Sequence, residues 1–298
     1  MATAAVHLGN IGTPQRREII HDFYQRCGRE TIGPAQVKTG EIQNFTTLEE
    51  LVEHLLERDE FIQIVVNHGN PEHGLLIPFT RESPYNATGG VIAQMASLAV
   101  EYQRGCPVKD PPGVVDLASK MGVRPAVAVR LLEKLGALIY KEMILEIRGC
   151  NIGKSQYLLR AYKKVFSAKA FTAPKCRMFY LRIVPHRPPH GVSMAALTAR
   201  RPALPGSRRR SFSASGNPFG SLIIDVRDID GHSRVDSEAF MDDPHQAFNW
   251  GAKLDGEWRI APQGTGNNRF VLPVLWDNDE SSWHTPLEET YRQKLVMV

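Results

Sequence analysis

Two apolar segments of this chain each run into a side chain able to do acid–base or nucleophilic work. Phe61 to Val66 leads into Asn67-His68-Gly69-Asn70, and Met143 to Ile147 leads into Arg148-Gly149-Cys150. An imidazole carries protons near neutral pH, and a thiol that has lost its proton is a strong nucleophile. Together they suffice for acyl transfer: the ring takes the thiol proton, sulfur adds to a carbonyl carbon, and the ring returns the proton to the leaving amine. A helix expected from about Lys154 would favour the thiolate through its free N–H groups and dipole. Gly69, Gly149 and Gly153 permit close approach of backbone to a substrate, and the N–H groups of Gly69 and Cys150 are candidates for holding an oxyanion. The chain has three His-Gly pairs, at 68–69, 73–74 and 190–191, and only the first directly follows an apolar run.

For His68 and Cys150 to cooperate, 82 residues of chain must fold so that both reach one place. The apolar runs before them are nearly continuous, which suits strands covered on both faces of a parallel sheet. The carboxyl ends of parallel strands share one edge, and ligands of open α/β sheets bind in the crevice there. If the two strands are neighbours, imidazole and thiol face the same cleft.

The elements around them alternate between strand and helix. Ala4 to Leu8 reads as an opening strand, Thr13-Pro14 starts a helix through about Arg26, and a second short strand lies near Val37. Thr46 and Thr47 each precede a Glu by three residues, a doubled capping box for a helix carrying Leu48, Leu51, Val52, Leu55 and Leu56. Gly89 to Tyr102 reads as a helix, Val114 to Leu135 as two helices parted near Gly122, Lys154 to Phe166 as another, and Lys169 to Ala173 as a strand. The expected fold class is α/β, a mainly parallel sheet flanked by helices over residues 1–184, with a helical insertion at about 107–138.

Residues 185–220 differ, with five prolines before Gly206 and the run Arg208 to Arg210, and read as a flexible Pro/Arg/Ser-rich linker. Residues 221–298 hold 14 Asp plus Glu against 7 Lys plus Arg, a net −7 that leaves +11 for residues 1–220 of a chain whose total is +4. Strands at Leu222 to Val226 and Phe270 to Leu275 make this acidic region an irregular β-rich appendage. No run of five like charges marks a nucleic-acid surface.

Cys27, Cys106, Cys150 and Cys176 form neither a CxxC pair nor a Cys/His zinc spacing, so neither a metal nor a disulfide framework is expected. Asp225, Asp228, Asp230 and Asp236 fail the EF-hand pattern at Val226 and Ser237, and Asp242-Asp243 and Asp277 to Glu280 read as solvated turns. No run of 18 apolar residues suggests a membrane span, and the reading is a soluble, cytoplasmic protein. Leu117 to Val123 followed by Val127, Val129, Leu131, Leu132 and Leu135 resembles a helix-turn-helix, which makes a DNA-binding regulator an alternative. The first turn of its second helix, Pro125-Ala126-Val127-Ala128-Val129, has almost nothing with which to read bases, which disfavours a nucleic-acid partner.

The helix of Thr46 to Leu56, the strand FIQIVV followed by Asn67-His68-Gly69 and the strand MILEIRGC ending at Cys150 resemble, in this order, the caspase-like (clan CD) cysteine peptidases, which include caspases, metacaspases, gingipains, separases and bacterial CHAT domains. The helix after Cys150 and Ala168 to Ala173 continue the likeness, which covers roughly residues 3–184. The resemblance implies hydrolysis of peptide bonds in a protein or peptide substrate by a His68/Cys150 dyad, with Gly69 and Gly149 at the oxyanion or substrate-binding loops and no cofactor. Relatives that process themselves after basic residues make Arg201 and Arg210 candidate self-cleavage positions. A caspase-like fold that binds without catalysing is the other alternative.

Overall fold

The computed structural model describes residues 2–11, 17, 20–21, 24–25, 31–32, 35–103, 112–186, 208–213, 221–228, 270–277, 279–280, 282–284 and 289–298. The opening strand is β1 (Ala2–Leu8), followed by β2 (Thr31–Ile32) and β3 (Ala35–Asn44). Most of the helix expected from Thr13 lies outside the described residues.

Helix α1 (Leu48–Glu57) begins where the doubled capping box directs it. Thr47 Oγ1 accepts from the Glu50 N–H at 3.1 Å, and Glu50 Oε2 accepts from both the N–H and the hydroxyl of Thr46 at 2.7 Å. Leu48, Leu51, Val52 and Leu55 form its buried stripe. Strand β4 (Ile62–Val66) follows, then a tight hairpin of β5 (Gly69–Asn70) and β6 (Gly74–Leu75). Three helices come next: α2 (Gly89–Gln103), α3 (Pro112–Met121) and α4 (Pro125–Ala137). Strand β7 (Ile144–Arg148), a 3-10 turn at Ile152–Lys154, α5 (Gln156–Val165) and β8 (Ala170–Pro174) complete the alternation.

The remaining strands are β9 (Arg177–His186), β10 (Arg208–Ser213), β11 (Ser221–Asp228), β12 (Phe270–Asp277) and β13 (Ser282–His284). Helix α6 (Glu289–Gln293) and β14 (Leu295–Met297) end the chain. The main sheet has the order β14-β8-β7-β4-β1-β3-β2. Strands β3, β1, β4, β7 and β8 run parallel, and β14 closes one end antiparallel to β8. A second sheet, β10-β11-β9-β12-β13, has antiparallel ladders between β10 and β11, β11 and β9, and β12 and β13.

Two compact units result, one of Met1–Ile11, Ile32–Arg177 and Gln293–Val298, the other of Gly12–Thr31 and Met178–Arg292. Their composition differs from the sequence reading in two ways. The last strand, expected in an appendage, returns to the main sheet: Leu295 to Met297 pair with Pro174 to Thr172, because the apolar run Leu295-Val296-Met297-Val298 completes the edge of β8. Within the segment expected as a linker, Arg208 to Ser213 pair with Val226 to Ser221, and β9 extends to His186, so ladder hydrogen bonds offset the ordering cost that the composition argues against.

One face of the main sheet packs on helices. Val65, Leu145, Ile147, Phe171 and Ala173 share a core with Leu51 and Leu55 of α1, Ile92 and Met95 of α2, Leu131 and Leu135 of α4, and Leu158 and Tyr162 of α5. His7 and Gln63 lie on the same face, since His7 aligns with Val65 and Gln63 with Leu145. His7 is fully buried, with Nε2 2.7 Å from Gln63 Oε1. Gln63 donates its amide to the Glu60 carbonyl at 2.5 Å, which leaves its oxygen facing His7 and makes Nε2 the protonated ring nitrogen. The ring stacks on His54 of α1 at 6.0 Å, and burial holds its pKa down at about 4, against the opposing effect of the hydrogen bond it donates to Gln63 and with a smaller push from His54.

A histidine kept neutral by the fold takes up its proton in the unfolded chain first. Its contribution is therefore complete above pH 6.5 and lost as pH falls towards 4. The loss amounts to about 3 kcal/mol. Urea unfolding of the wild type should lose more stability between these limits than that of His7→Gln, in which the other titrating groups are retained; equal losses would contradict the assignment.

Candidate functional site

Strands β4 and β7 are direct neighbours in the main sheet, paired in parallel with Ile62 opposite Ile144 and Val66 opposite Arg148. Their carboxyl ends are flush, and the pairing continues one step further through the Asn67 N–H, which donates to the Arg148 carbonyl at 3.2 Å. On the other side of β4, Leu8 aligns with Val66, and the Gly9 N–H donates to the Val66 carbonyl at 2.8 Å. Three adjacent strands thus open at one rim, the crevice that parallel topology reserves for ligands. His68 and Cys150 lie two residues past the ends of two of them.

The glycines beside these residues let the two loops touch. A Cβ on Gly149 would stand 2.9 Å from the Asn67 carbonyl oxygen and 2.9 Å from Ile152 Cδ1. One on Gly69 would stand 2.5 Å from Ile152 Cδ1 and 3.1 Å from the Cys150 nitrogen. The loop bearing His68 and the loop bearing Cys150 are therefore in backbone contact, with the methyl end of Ile152 wedged against both.

Each loop is anchored on its far side. The His68 carbonyl accepts from the Leu76 N–H at 3.0 Å, closing the β5–β6 hairpin, and Asn70 Oδ1 accepts from the N–H groups of Glu72 and His73 to form its turn. Tyr162 of α5, fully buried, accepts from the Leu75 N–H at 2.8 Å, and only a glycine at 74, with φ +84°, leaves room for its hydroxyl. Burial raises the Tyr162 hydroxyl well above its usual pKa and keeps it neutral. Its ring stacks on Phe166 at 6.0 Å and on Phe171 at 5.6 Å. Through Tyr162, the helix that follows Cys150 holds the hairpin that follows His68.

Cys150 is 3% exposed and is not in a disulfide, and His68 is half-buried. The turn after Cys150 corrects one expectation. Helix α5 begins at Gln156, not at Lys154, and Ser155 caps it, its hydroxyl accepting from the Leu158 N–H at 3.3 Å. Between them lie Asn151 in the left-handed region, with φ 59°, and the 3-10 turn. The Asn151 N–H is committed to the Cys176 carbonyl at 2.9 Å. Cys150 therefore sits more than a turn before the dipole-bearing end of α5, and that dipole does not stabilise its thiolate, since the effect is confined to a helix's first turn. Gly153, too, faces protein rather than substrate, its Cβ position lying 2.6 Å from the Ala173 carbonyl.

Several residues at this rim escape a reading by motif. Arg148, with no exposed surface, pairs with buried Glu146 at 3.2 Å, two charges inside β7 just before the cysteine. The signal was present as alternation: Glu146 and Arg148 point to one face and Leu145 and Ile147 to the other, as i, i+2 positions of a strand must. Asn67 is 1% exposed with neither amide atom hydrogen-bonded, and Gly9 makes room for it, a Cβ there lying 2.3 Å from Asn67 Oδ1.

Other candidates fall elsewhere. Arg210 stands in β10 opposite Ile224, so its peptide bond belongs to a ladder, while Arg201 and the pair His190-Gly191 lie outside the described residues. Asp225 and Asp228 are in β11, and Asp230, Asp236, Asp242 and Asp243 are outside the description. Asp277 and His284 are buried, not solvated, and with exposed Glu280 bring one ligand atom each within 4.8 Å of one another. Asp277 Oδ1 accepts from the Asp279 N–H at 2.9 Å, and His284 Nε2 lies 3.0 Å from Ser282 Oγ and 3.6 Å from Glu280 Oε2. Among the described residues no helix is long and apolar enough to cross a membrane.

Replacing Gly149 by Ala should cost about 1–3 kcal/mol, because one of its two close contacts is backbone and cannot swing away. Tyr162→Phe keeps the stacked ring but orphans the Leu75 N–H, and should also cost about 1–3 kcal/mol. Denaturant unfolding reads both, and a wild-type midpoint for either variant would contradict the contact assigned to it. No protein-family model, curated protein or solved structure matches this chain.

Proposed function

We propose that the chain is a cysteine endopeptidase of the caspase-like type, in which His68 and Cys150 form the catalytic dyad. The observation that carries this reading is the parallel register of β4 with β7, which brings two loops distant in sequence into backbone contact at one sheet rim. The order of elements agrees with what the resemblance implies: α1, then β4 running into His68-Gly69, then helices, then β7 running into Cys150, then α5 and β8. In the proposed reaction His68 takes the Cys150 proton and the sulfur attacks the scissile carbonyl carbon. The N–H groups of Gly69 and Cys150 are the donors proposed for the resulting oxyanion, and His68 protonates the departing amine. Water then hydrolyses the thioester, with His68 as base, and restores the thiol.

A second reading, a caspase-like module that binds without cleaving, is favoured by one observation, the 3% exposure of Cys150. The helix-turn-helix alternative has less support. The inner faces of α3 and α4 are part of the sheet's core, and the cations of α4 are already engaged, Arg130 with Glu49 at 2.8 Å and Lys134 with Glu49 at 2.7 Å. A helical hairpin packed on the sheet accounts for the pattern.

Covalent labelling with a panel of peptidyl electrophiles distinguishes the three. The peptidase reading predicts a single adduct on Cys150, none in Cys150→Ala, and a rate in His68→Ala lower by about 10²-fold or more. Absence of any adduct on folded wild type favours the silent module, and salt-sensitive DNA binding without labelling favours the regulator.

A further inference from the structure

We propose that a second site lies at the opposite, amino-terminal edge of the main sheet and binds a small acyl carboxylate, an apolar chain ending in one anionic head. An open cavity of about 760 Å³ lies there, where the chain enters β7 and β8, and its volume is in the range usual for small-molecule pockets. Its apolar lining comes from three parts of the fold: Val100 of α2, Ile139 after α4, and Val296 and Met297 of β14. Ile139 is 45% and Met297 70% exposed, so apolar surface is left in water that a hydrocarbon chain would cover.

The head group is argued from charge. Arg160, Lys163 and Lys164 of α5 line the same cavity, and no acidic side chain lines it with them. Helix α5 carries no Asp or Glu. Several other cations of this unit are compensated: Lys120, Lys134, Lys141 and Lys169 each lie within 3 Å of a carboxylate oxygen. No carboxylate among the described residues does this for Arg160, Lys163 or Lys164. The macrodipole explains Lys163 and Lys164, which occupy the last turn of α5. It explains neither Arg160 nor the apolar wall facing it. Three uncompensated cations over a hydrophobic floor fit an amphiphilic anion, and a nucleic-acid backbone would leave that floor uncovered. The inference is independent of the chemistry proposed for His68 and Cys150.

The test uses the whole chain, with anilinonaphthalenesulfonate as fluorescent probe and laurate as competitor. Saturable one-to-one binding of the probe, displaced by laurate and weakened by salt, is expected of wild type. Arg160→Glu/Lys164→Glu, which reverses two exposed charges, and Ile139→Asp, which spoils the floor, should each weaken laurate binding about tenfold or more. Thermal unfolding and near-ultraviolet circular dichroism identify variants that remain folded, and Arg160→Gln/Lys164→Gln gives the same reading if charge reversal prevents folding. Absence of saturable laurate binding, binding indifferent to both kinds of substitution, or displacement of the probe by an acidic peptide and not by laurate would overturn the proposal.

Discussion

The site rests on one ladder. Parallel pairing of β4 with β7 in the register Val66 opposite Arg148 makes both strands stop at the same height, and the extra bond from Asn67 to Arg148 carries the alignment into the loops. A slip by one residue would turn every side chain of one strand to the other sheet face, moving Leu145 and Ile147 out of the helical core and Glu146 and Arg148 into it. The core therefore fixes the register, and the register fixes which loop residues meet. Gly69 and Gly149 add the last condition, because any side chain at either would separate the loops that the ladder brings together.

Polar residues are built into both faces of this sheet, and several of them have a physical counterweight. On the helical face His7 is held neutral against Gln63. On the other face Arg148 is matched by Glu146 within the same strand, which avoids leaving a buried charge alone. Tyr162 meets the same requirement in a different way. Its hydroxyl serves a backbone N–H of the hairpin, while its ring is gripped by Phe166 and Phe171. The helix following one loop and the hairpin following the other thereby become one support, so neither loop is positioned by its own short-range bonds alone.

Much of this was legible in the residues. The doubled Thr/Glu spacing marks the start of α1, and the apolar runs before His68 and Cys150 mark buried strands, because local bonding and periodicity determine those features. Parallel topology then suggests the shared rim. What the sequence hides is whatever depends on non-local pairing. Leu295 to Met297 is too short a run to announce that it closes the main sheet, and Arg208 to Ser213 looks like linker until β11 supplies its hydrogen bonds. The delay between Cys150 and α5 was hidden for a local reason: Ser155 takes the extended conformation of a cap and its hydroxyl starts α5, whereas Asn151 is left-handed and starts a 3-10 turn instead. Tyr162 reads as one more core aromatic, and its bond to Leu75 can be seen only once the hairpin is folded against α5.

The most direct test of the account is a cross-link. In His68→Cys, mild oxidation of the folded protein followed by peptide mapping under non-reducing conditions would report which thiol position 68 reaches. Two loops in contact at one rim predict a disulfide between positions 68 and 150, formed rapidly and without loss of the native fold. A disulfide from position 68 to any other cysteine, or none while the protein stays folded, would contradict the juxtaposition on which the site depends.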